Sequence, residues 1–277
     1  MPPVLAIPFP AIDPVLVEIG PFAIRWYALA YIAGLVAGWW IVSRLAERPP
    51  APGLPAAMTR AQVDDFLLWA TLGVILGGRI GYVLFYQPGY FLDHPLGIFA
   101  VWQGGMSFHG GLLGVVCAIV LFCRRRGVAI LALGDLISLV APIGLFLGRL
   151  ANFVNGELYG RVGDVPWAMA FPGAGPEPRH PSQLYEAMLE GVVLLAILAA
   201  LARFGGARAR PGLITGAFFA GYGTFRVVGE MFREPDPQLG FLVLGTTMGQ
   251  WLSLPLIAVG LWLILRARPA AAREGSP

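Results

Sequence analysis

The sequence predicts an all-α integral membrane protein with about seven transmembrane helices and a small external cap. Of its 277 residues, 57% are hydrophobic and only 13% are charged, and the mean hydropathy is +0.71. Too few charged side chains remain to cover a water-facing surface. Seven apolar segments come close to the length of roughly twenty residues that spans a bilayer. They cover residues 24–43, 66–86, 108–123, 133–153, 186–203, 213–231 and 247–265. We expect one polytopic membrane domain over residues 1–277.

Several of these segments carry local signals of their own. In the second, Gly73, Gly77 and Gly81 recur every four residues, a spacing that lets two helices approach closely. Arg79 lies between them and points to a different face, where it serves either the functional site or a neighbouring helix. The fourth segment is interrupted by Pro142, which is tolerated in a membrane helix where neighbours satisfy the freed backbone groups.

Orientation follows from the distribution of arginine, the only basic residue type besides histidine. Cytoplasmic loops of membrane proteins are enriched in Lys and Arg. One set of alternate connections holds twelve of the nineteen arginines, namely Arg44, Arg48, Arg60, Arg124, Arg125, Arg126, Arg203, Arg208, Arg210, Arg266, Arg268 and Arg273. We expect that side to be cytoplasmic, which places the N-terminus outside and the C-terminus in the cytoplasm.

Two stretches outside the apolar segments need separate interpretation. Residues 154–185 are polar and rich in proline, so we expect a small external cap there and not an eighth span. The first twenty residues carry five prolines and no basic region before the first apolar run, which does not fit a cleavable signal peptide.

Ionised side chains inside an apolar segment are costly and therefore face a bundle interior or a water-filled cavity. Near the outer end of the fourth segment, Arg149 and Asn152 share one helical face because they are three residues apart. Along one face of the sixth segment, polar residues recur at intervals of four, four and three, at Tyr222, Arg226, Glu230 and Arg233. The fifth segment begins with two glutamates, Glu186 and Glu190, which we expect to be counter-charges for the arginines. The structural alternative is an ion-paired cluster that only packs.

His109 opens the third segment at its outer end. A helix N-terminus disfavours a charged imidazole, so this histidine tends towards the neutral form that accepts a proton. Ser107 beside it could suggest a serine protease, but Phe108 follows where a rhomboid-like Gly-x-Ser-Gly motif needs glycine. Cys117 and Cys123 show no metal-ligand spacing, and we expect both to be buried and reduced.

Read in order, five polar runs resemble the bacterial prolipoprotein diacylglyceryl transferases. The runs are GGRIGYVLFY at 77–86, GGMSFHGGLLG at 104–114, GRLANFVNGELYGR at 148–161, HPSQLYEAMLEG at 180–191 and GYGTFRVVGEMFREPD at 221–236. One departure from the family pattern is Ala151, where many members have glycine. The resemblance covers nearly the whole chain.

The resemblance implies a multi-pass enzyme of the bacterial inner membrane. Such an enzyme transfers diacylglycerol from phosphatidylglycerol to the lipobox cysteine thiol in the signal peptide of a prolipoprotein, releasing glycerol phosphate. It further implies that Arg149 and Arg226 are the essential or lipid-binding arginines. The other positions associated with activity are Tyr27, His109, Asn152, Gly160, Glu186, Tyr222, Glu230 and Arg233.

Chemically, the leaving phosphate needs fixed positive charge, and the thiol, with an ordinary pKa of about 8.5, needs a base or a cationic environment. We expect Arg149 and Arg226 to hold the phosphate, because a guanidinium stays ionised and matches phosphate oxygens at two points. Glu186 and Glu230 would orient these arginines. His109 is the leading general base, with Tyr27 as its hydrogen-bonding partner; a thiolate stabilised by arginine alone stays open.

Two rival functions use the same residues without chemistry. A transporter of lipids or organic anions would bind its cargo through the arginines, and a structural membrane scaffold would use them only for packing. No metal, cofactor or nucleic acid is suggested by the sequence; the expected partners are phosphatidylglycerol, lipobox signal peptides and the bilayer.

Overall fold

In the computed structural model, residues 7–10, 12–20, 22–235 and 240–270 are described. Asp236 and Arg273, used above in the family resemblance and in the orientation argument, lie outside these residues. The chain divides into two compact units, which are residues 42–133 and residues 1–41 together with 134–277.

The shorter unit is built on two long helices, α2 (Arg60–Phe85) and α4 (Phe108–Arg126). Between them lie a short helix, α3 (Pro88–Asp93), and two 3₁₀ turns, Pro95–Phe99 and Val101–Gln103. Thr59 and Gln62 form a capping box that starts α2, since each side chain satisfies a backbone N–H of the other residue. The helix therefore begins six residues before the predicted apolar segment.

The glycine repeat brings α2 against α4, as its spacing predicted. A Cβ added at Gly73 would lie 2.7 Å from the carbonyl oxygen of Gly114, and one at Gly81 would lie 2.8 Å from the Cα of Gly110. Such separations leave no room for a side chain, so the two backbones meet directly.

Arg79 is buried, with 6% of its surface exposed. Its guanidinium donates hydrogen bonds to the carbonyl oxygens of Gly97, Ile98, Gly104 and Gly105 at 2.6–3.1 Å. The hydrogen bonds of this guanidinium therefore go to backbone carbonyls of the stretch between α2 and α4. This arginine fixes the chain that leads into α4.

The longer unit begins with three short strands, β1 (Ile7–Pro8), β2 (Val15–Ile19) and β3 (Phe22–Arg25), of which β2 and β3 pair antiparallel. Helix α1 (Trp26–Ala46) follows β3 directly, and its last residues belong to the shorter unit. Helix α5 (Ile130–Val154) contains Pro142 without ending there. Gly34 allows α1 to approach α5, since a Cβ at this position would lie 3.3 Å from the Cα of Gly144.

Next along the chain comes a helix of three parts over Ser182–Phe204. It consists of α6 (Ser182–Glu186), a π-helical segment (Ala187–Val193) and α7 (Leu194–Phe204). The fifth apolar segment, predicted to begin at 186, therefore lies in a helix that begins four residues earlier. Both Glu186 and Glu190 lie within this helix.

Helix α8 (Leu213–Glu230) packs against α9 (Met248–Arg266) through small residues. The N-terminus of α8 is satisfied by Asp135 from α5. This carboxylate accepts hydrogen bonds from the backbone N–H of Gly212 and from the backbone N–H and hydroxyl of Thr215, at 2.7–2.8 Å. Gly212 itself has no side chain to cap the helix, so Asp135 supplies the cap.

Residues 155–181 contain no α-helix, in agreement with the prediction that this stretch is not a further span. Strand β4 (Met169–Ala170) pairs in parallel with β1. Isolated bridges tie Gly160 to Arg233, and Arg179 to both Val162 and Met169. The stretch is therefore held by backbone pairing to the chain just after α8.

The structure is mostly helical, and each of the seven predicted apolar segments lies on a helix. Among the described residues, five helices are long and apolar enough to cross a membrane; they are α1, α2, α5, the helix Ser182–Phe204 and α9. These features fit an all-α protein that passes through a membrane several times.

The prediction that both cysteines are buried is wrong for Cys117. Both thiols are free, Cys123 is buried, and Cys117 is exposed on α4. Positions six residues apart on an α-helix point in directions that differ by about 120°, so burial of one does not imply burial of the other.

Candidate functional site

Six charged side chains of the longer unit contact one another, and we call them the arginine–glutamate cluster. Its members come from α5, from the helix Ser182–Phe204, from α8 and from the turn that follows α8; they are Arg149, Glu186, Glu190, Arg226, Glu230 and Arg233. The stripe predicted on the sixth segment therefore faces charges from two other helices.

Arg149 contacts two glutamates through all three of its nitrogens. Its Nε and Nη2 donate to Oε2 of Glu190 at 3.3 and 3.2 Å. Its Nη1 lies 3.0 Å from Oε2 of Glu186. Two glutamates one helical turn apart thus fix the plane of the guanidinium.

Arg226 is held by the glutamates of the helix Ser182–Phe204 and by Glu230 of its own helix, α8. Its Nη1 donates to Oε1 of Glu186 at 2.8 Å and lies 3.9 Å from Oε1 of Glu190. Its Nη2 pairs with Glu230, four residues along α8. Arg226 therefore forms an ion pair within α8, and Glu186 also joins it to Arg149 of α5.

Arg233 completes the cluster at longer range. Its Nη1 lies 3.6 Å from Oε1 of Glu186, and its Nε lies 3.9 Å from Oε1 of Glu230. The second oxygen of Glu230 accepts a hydrogen bond from the hydroxyl of Thr247 at 2.7 Å. A side chain at the start of α9 therefore also helps to hold Glu230.

Burial separates the two kinds of charge. The side chains of Glu186 and Glu190 are 0% exposed and that of Glu230 is 5% exposed, whereas those of Arg149, Arg226 and Arg233 are 9–15% exposed. The carboxylates thus form a buried floor that holds the three guanidinium groups at the accessible side. Because buried charges are tolerated when paired and hydrogen-bonded, the three negative groups stabilise the three positive ones in place.

Asn152 lies one turn after Arg149 on α5 and is buried. Its side-chain amide donates to Oε1 of Glu157 at 2.8 Å, and the backbone carbonyl of Glu157 accepts a hydrogen bond from Gln183 at 2.7 Å. Asn152 therefore ties the end of α5 to the start of α6. Its amide also lies within hydrogen-bonding reach of the Tyr27 hydroxyl.

Gly160 is required by close backbone approach. Its N–H donates to the carbonyl oxygen of His180 at 2.9 Å, and it pairs with Arg233 in an isolated bridge. A Cβ at this position would lie 2.5 Å from that oxygen and 2.6 Å from the carbonyl oxygen of Phe232. A larger residue would push away the turn that carries Arg233.

Of the remaining predicted site residues, Tyr222 lies beside the cluster, close enough for electrostatic interaction with its arginines and glutamates. Tyr222 is part of α8 and stacks on Phe218, with ring centroids 5.9 Å apart. Tyr27 is the second residue of α1, and its hydroxyl lies 3.4 Å from that of Tyr31. His109 is exposed at the second residue of α4, in the shorter unit, and Ser107 caps that helix.

A family model described as prolipoprotein diacylglyceryl transferase matches residues 14–266, which is nearly the whole chain. The chain belongs to this family. The family resemblance drawn from the five polar runs is confirmed.

Curated relatives match this chain over nearly their whole lengths. A protein of Rhodospirillum rubrum is 61% identical over 274 residues, covering 98% of each chain. Proteins of Rhodopseudomonas palustris and Paramagnetospirillum magneticum are 58% and 59% identical, with at least 96% of each chain covered. All three are named phosphatidylglycerol–prolipoprotein diacylglyceryl transferase. The prediction of a transferase in lipoprotein biosynthesis is therefore confirmed at the level of the family, against the transporter and scaffold alternatives.

The prediction that Glu190 is a counter-charge for the arginines is confirmed, since it accepts hydrogen bonds from two nitrogens of Arg149. Two further residues that shape the cluster carry no such signal in the sequence. A threonine before an apolar run, such as Thr247, indicates only a helix cap. Arg161 lies outside the apolar segments, and its guanidinium donates to the backbone carbonyls of Glu230 and Arg233.

Proposed function

We propose that this protein transfers the diacylglyceryl group of phosphatidylglycerol to the lipobox cysteine of prolipoprotein signal peptides. The observation that carries the proposal is the buried floor of three glutamates beneath three partly accessible arginines. A phosphate ester is the anion that such a set of guanidinium groups suits, because each can contact two oxygens. The names of the relatives supply the two substrates.

Arg149 and Arg226 keep donors for a ligand even though they are paired. A guanidinium has five N–H groups. Arg149 donates hydrogen bonds from Nε and Nη2 to Glu190, whereas its Nη1 forms an ion pair with Glu186 that is not a hydrogen bond, so N–H groups remain on both terminal nitrogens. The glutamates thus position the arginines without exhausting them, and a phosphate oxygen can bind on the accessible side.

The reaction balances as a displacement at carbon. The cysteine sulfur attacks the sn-3 carbon of the diacylglyceryl group, and a C–S bond forms as the C–O bond to phosphate breaks. The electron pair of that bond goes to the phosphate oxygen, so glycerol phosphate leaves with added negative charge. Fixed arginines stabilise this developing charge without having to reorganise, which is the main electrostatic contribution to such a step.

The other residues take supporting roles in this proposal. His109 accepts the thiol proton as general base, Tyr27 assists the reaction, and Glu186 and Glu230 orient the arginines. The lipid headgroup is held with the help of Arg233 of the cluster and of Asn152, Gly160 and Tyr222. Neither a metal nor a cofactor takes part.

The membrane arrangement belongs to the same proposal. The chain lies in the bacterial inner membrane and crosses it seven times as a single domain, with α4 and α8 as the third and sixth spans. Its N-terminus is outside and its C-terminus is in the cytoplasm. Residues 154–185 form a cap on the outer side, which places the arginine–glutamate cluster towards the outer face where signal peptides emerge.

The deciding experiment mixes the purified protein with phosphatidylglycerol and a lipobox peptide and measures the peptide mass. We expect a gain of one diacylglyceryl group and release of one glycerol phosphate per modified peptide. The matched control peptide carries serine in place of the lipobox cysteine and should stay unmodified. Binding or flipping of phosphatidylglycerol with no covalent peptide product would instead support a transporter.

A further inference from the structure

A fourth arginine contacts the cluster only through the backbone. Arg161 lies in the stretch between α5 and α6, outside the apolar segments. Its Nε donates to the carbonyl oxygen of Arg233, and its Nη2 donates to the carbonyl oxygen of Glu230, both at 2.9 Å. These two carbonyls belong to residues whose side chains are members of the arginine–glutamate cluster.

The contact completes the C-terminus of α8. The last carbonyls of a helix have no partner within the helix and need one outside it. The carbonyl of Val227 accepts from Gln250, and those of Val228 and Gly229 accept from backbone N–H groups of the turn that follows. Among the described residues, the carbonyl of Glu230 receives its hydrogen bond from Arg161 and from no backbone amide.

Arg161 is itself anchored on both sides. Its backbone N–H donates to the carbonyl of Phe232 at 2.8 Å, and its carbonyl accepts from the N–H of His180 at 3.0 Å. The guanidinium also lies over the ring of Phe241, 4.8 Å from the centroid. With its backbone paired in this way, the side chain can cap α8 without a large loss of entropy.

In the part of the chain that the structure describes, no carboxylate pairs with Arg161, unlike the three arginines of the cluster. Arg179, from the same stretch, pairs with Glu234 at 3.0 Å. A cation at the C-terminus of a helix is stabilised by the partial negative charge of the last carbonyls. Among the described residues, Arg161 is therefore held by backbone carbonyls and by the ring of Phe241.

We propose that Arg161 is a positioning residue for the transfer reaction. It fixes the turn after α8, so that Glu230 and Arg233 enter the cluster at the correct depth. The contacts of Arg233 with Glu186 and Glu230 are 3.6 and 3.9 Å long, longer than the contact of Arg149 with Glu186, so a loosened turn weakens the pairing of Arg233 with the cluster first. The inference rests on the proposed function, because it assigns Arg161 an effect on binding of the lipid phosphate.

The test compares Arg161→Ala and Arg161→Lys with wild type, using the peptide assay with varied phosphatidylglycerol and varied peptide. We expect Arg161→Ala to lower kcat/KM for phosphatidylglycerol by about ten- to one-hundred-fold, the range for loss of a hydrogen bond from a charged donor. The KM for the peptide should change little. Lysine should recover part of the loss, since one ammonium can reach one carbonyl but not both. Arg203→Ala, an arginine at the end of α7, is the matched control and should behave as wild type.

A double-mutant cycle separates positioning from a general loss of structure. If Arg161 acts through Arg233, removing it in an Arg233→Ala background should cost far less than in wild type. Asn152 lies on α5, so in an Asn152→Ala background removing Arg161 should lower kcat/KM for phosphatidylglycerol as much as it does in wild type. The inference would be overturned if removing Arg161 lowered kcat/KM for phosphatidylglycerol equally in wild type, in Arg233→Ala and in Asn152→Ala. It would also be overturned if the change affected phosphatidylglycerol and peptide equally. If Arg161→Ala does not accumulate as a folded protein, the same cycle with Arg161→Lys decides. A wild-type protein that modifies no peptide would contradict the proposed function itself.

Discussion

At one end of α8, Asp135 accepts three hydrogen bonds from the helix N-terminus and, among the described residues, pairs with no arginine. At the other end, Glu186, Glu190 and Glu230 pair with three arginines, and one oxygen each of Glu186 and Glu190 accepts no hydrogen bond from the described residues. Both ends bury carboxylates. The first arrangement is complete with N–H and O–H donors alone, whereas the second retains unused donors and acceptors.

The difference separates a structural polar contact from a site. A buried carboxylate whose acceptors are filled by backbone N–H groups has little left to offer a ligand. Guanidinium groups held from behind by buried carboxylates keep N–H groups on their accessible side. We therefore expect changes at the Asp135 end to alter stability and changes at the cluster end to alter turnover.

The largest expected contrast is topological, because the proposal puts the two ends of α8 on opposite sides of the membrane. Single cysteines would be placed at Glu177, in the proposed cap, and at Phe204, near the Asp135 end. Both positions are exposed. The background carries Cys117→Ala and Cys123→Ala and should keep its turnover. A membrane-impermeant thiol reagent applied to intact spheroplasts should label position 177 and leave position 204 unlabelled. The opposite pattern would reverse the proposed orientation.

The next largest effect is expected at the arginines. Arg149→Ala and Arg226→Ala should each lower turnover by roughly 10² to 10³, as when a donor to a developing oxyanion is lost. Lysine should rescue poorly, because an ammonium replaces a planar two-point contact with one strongly hydrated charge. Turnover of detergent-purified variants would be measured together with thermal stability. Near-normal turnover in either alanine variant would remove that arginine from the mechanism, and normal turnover in both lysine variants would refute the two-point contact.

The smallest effect on chemistry is expected at Asp135. Asp135→Asn replaces one acceptor oxygen with a donor that faces the N–H of Gly212, so the unfolding free energy should fall by about 1–3 kcal/mol. Turnover per folded molecule should stay close to wild type. Thermal unfolding and an active-fraction assay on the same sample distinguish the two quantities. A large loss of turnover at unchanged stability would show that the two ends of α8 are not functionally separate.

Much of this comparison could be predicted from the sequence, because the signals involved are local. Each of the seven predicted apolar segments lies on a helix, and the spacing of Tyr222, Arg226, Glu230 and Arg233 predicted a polar face on α8. The four-residue glycine repeat predicted that another helix approaches α2 closely, though not that this helix is α4. Each of these patterns depends only on which residues share a helical face.

The pairing within the cluster could not be predicted in the same way. Apart from Arg226 and Glu230, which are four residues apart on α8, which glutamate meets which arginine depends on how three helices pack, and no sequence spacing records that. Asp135 is a lone acid without a partner on its own helix, and Arg161 is an arginine in a loop, so neither carries a periodic signal. The start of the helix at Ser182 was missed because its first turn is polar, and apolar patterns do not include such turns.

The π-helical segment from Ala187 to Val193 directly follows Glu186 and contains Glu190. Such a segment amounts to one extra residue inserted into an α-helix. Deleting one residue there would restore a regular helix, yet it would rotate everything after the deletion by about 100° relative to Glu186. The length of this segment is therefore constrained in evolution, although its residues can be substituted. A single-residue deletion would turn either the glutamates or the apolar face of α7 away from their partners.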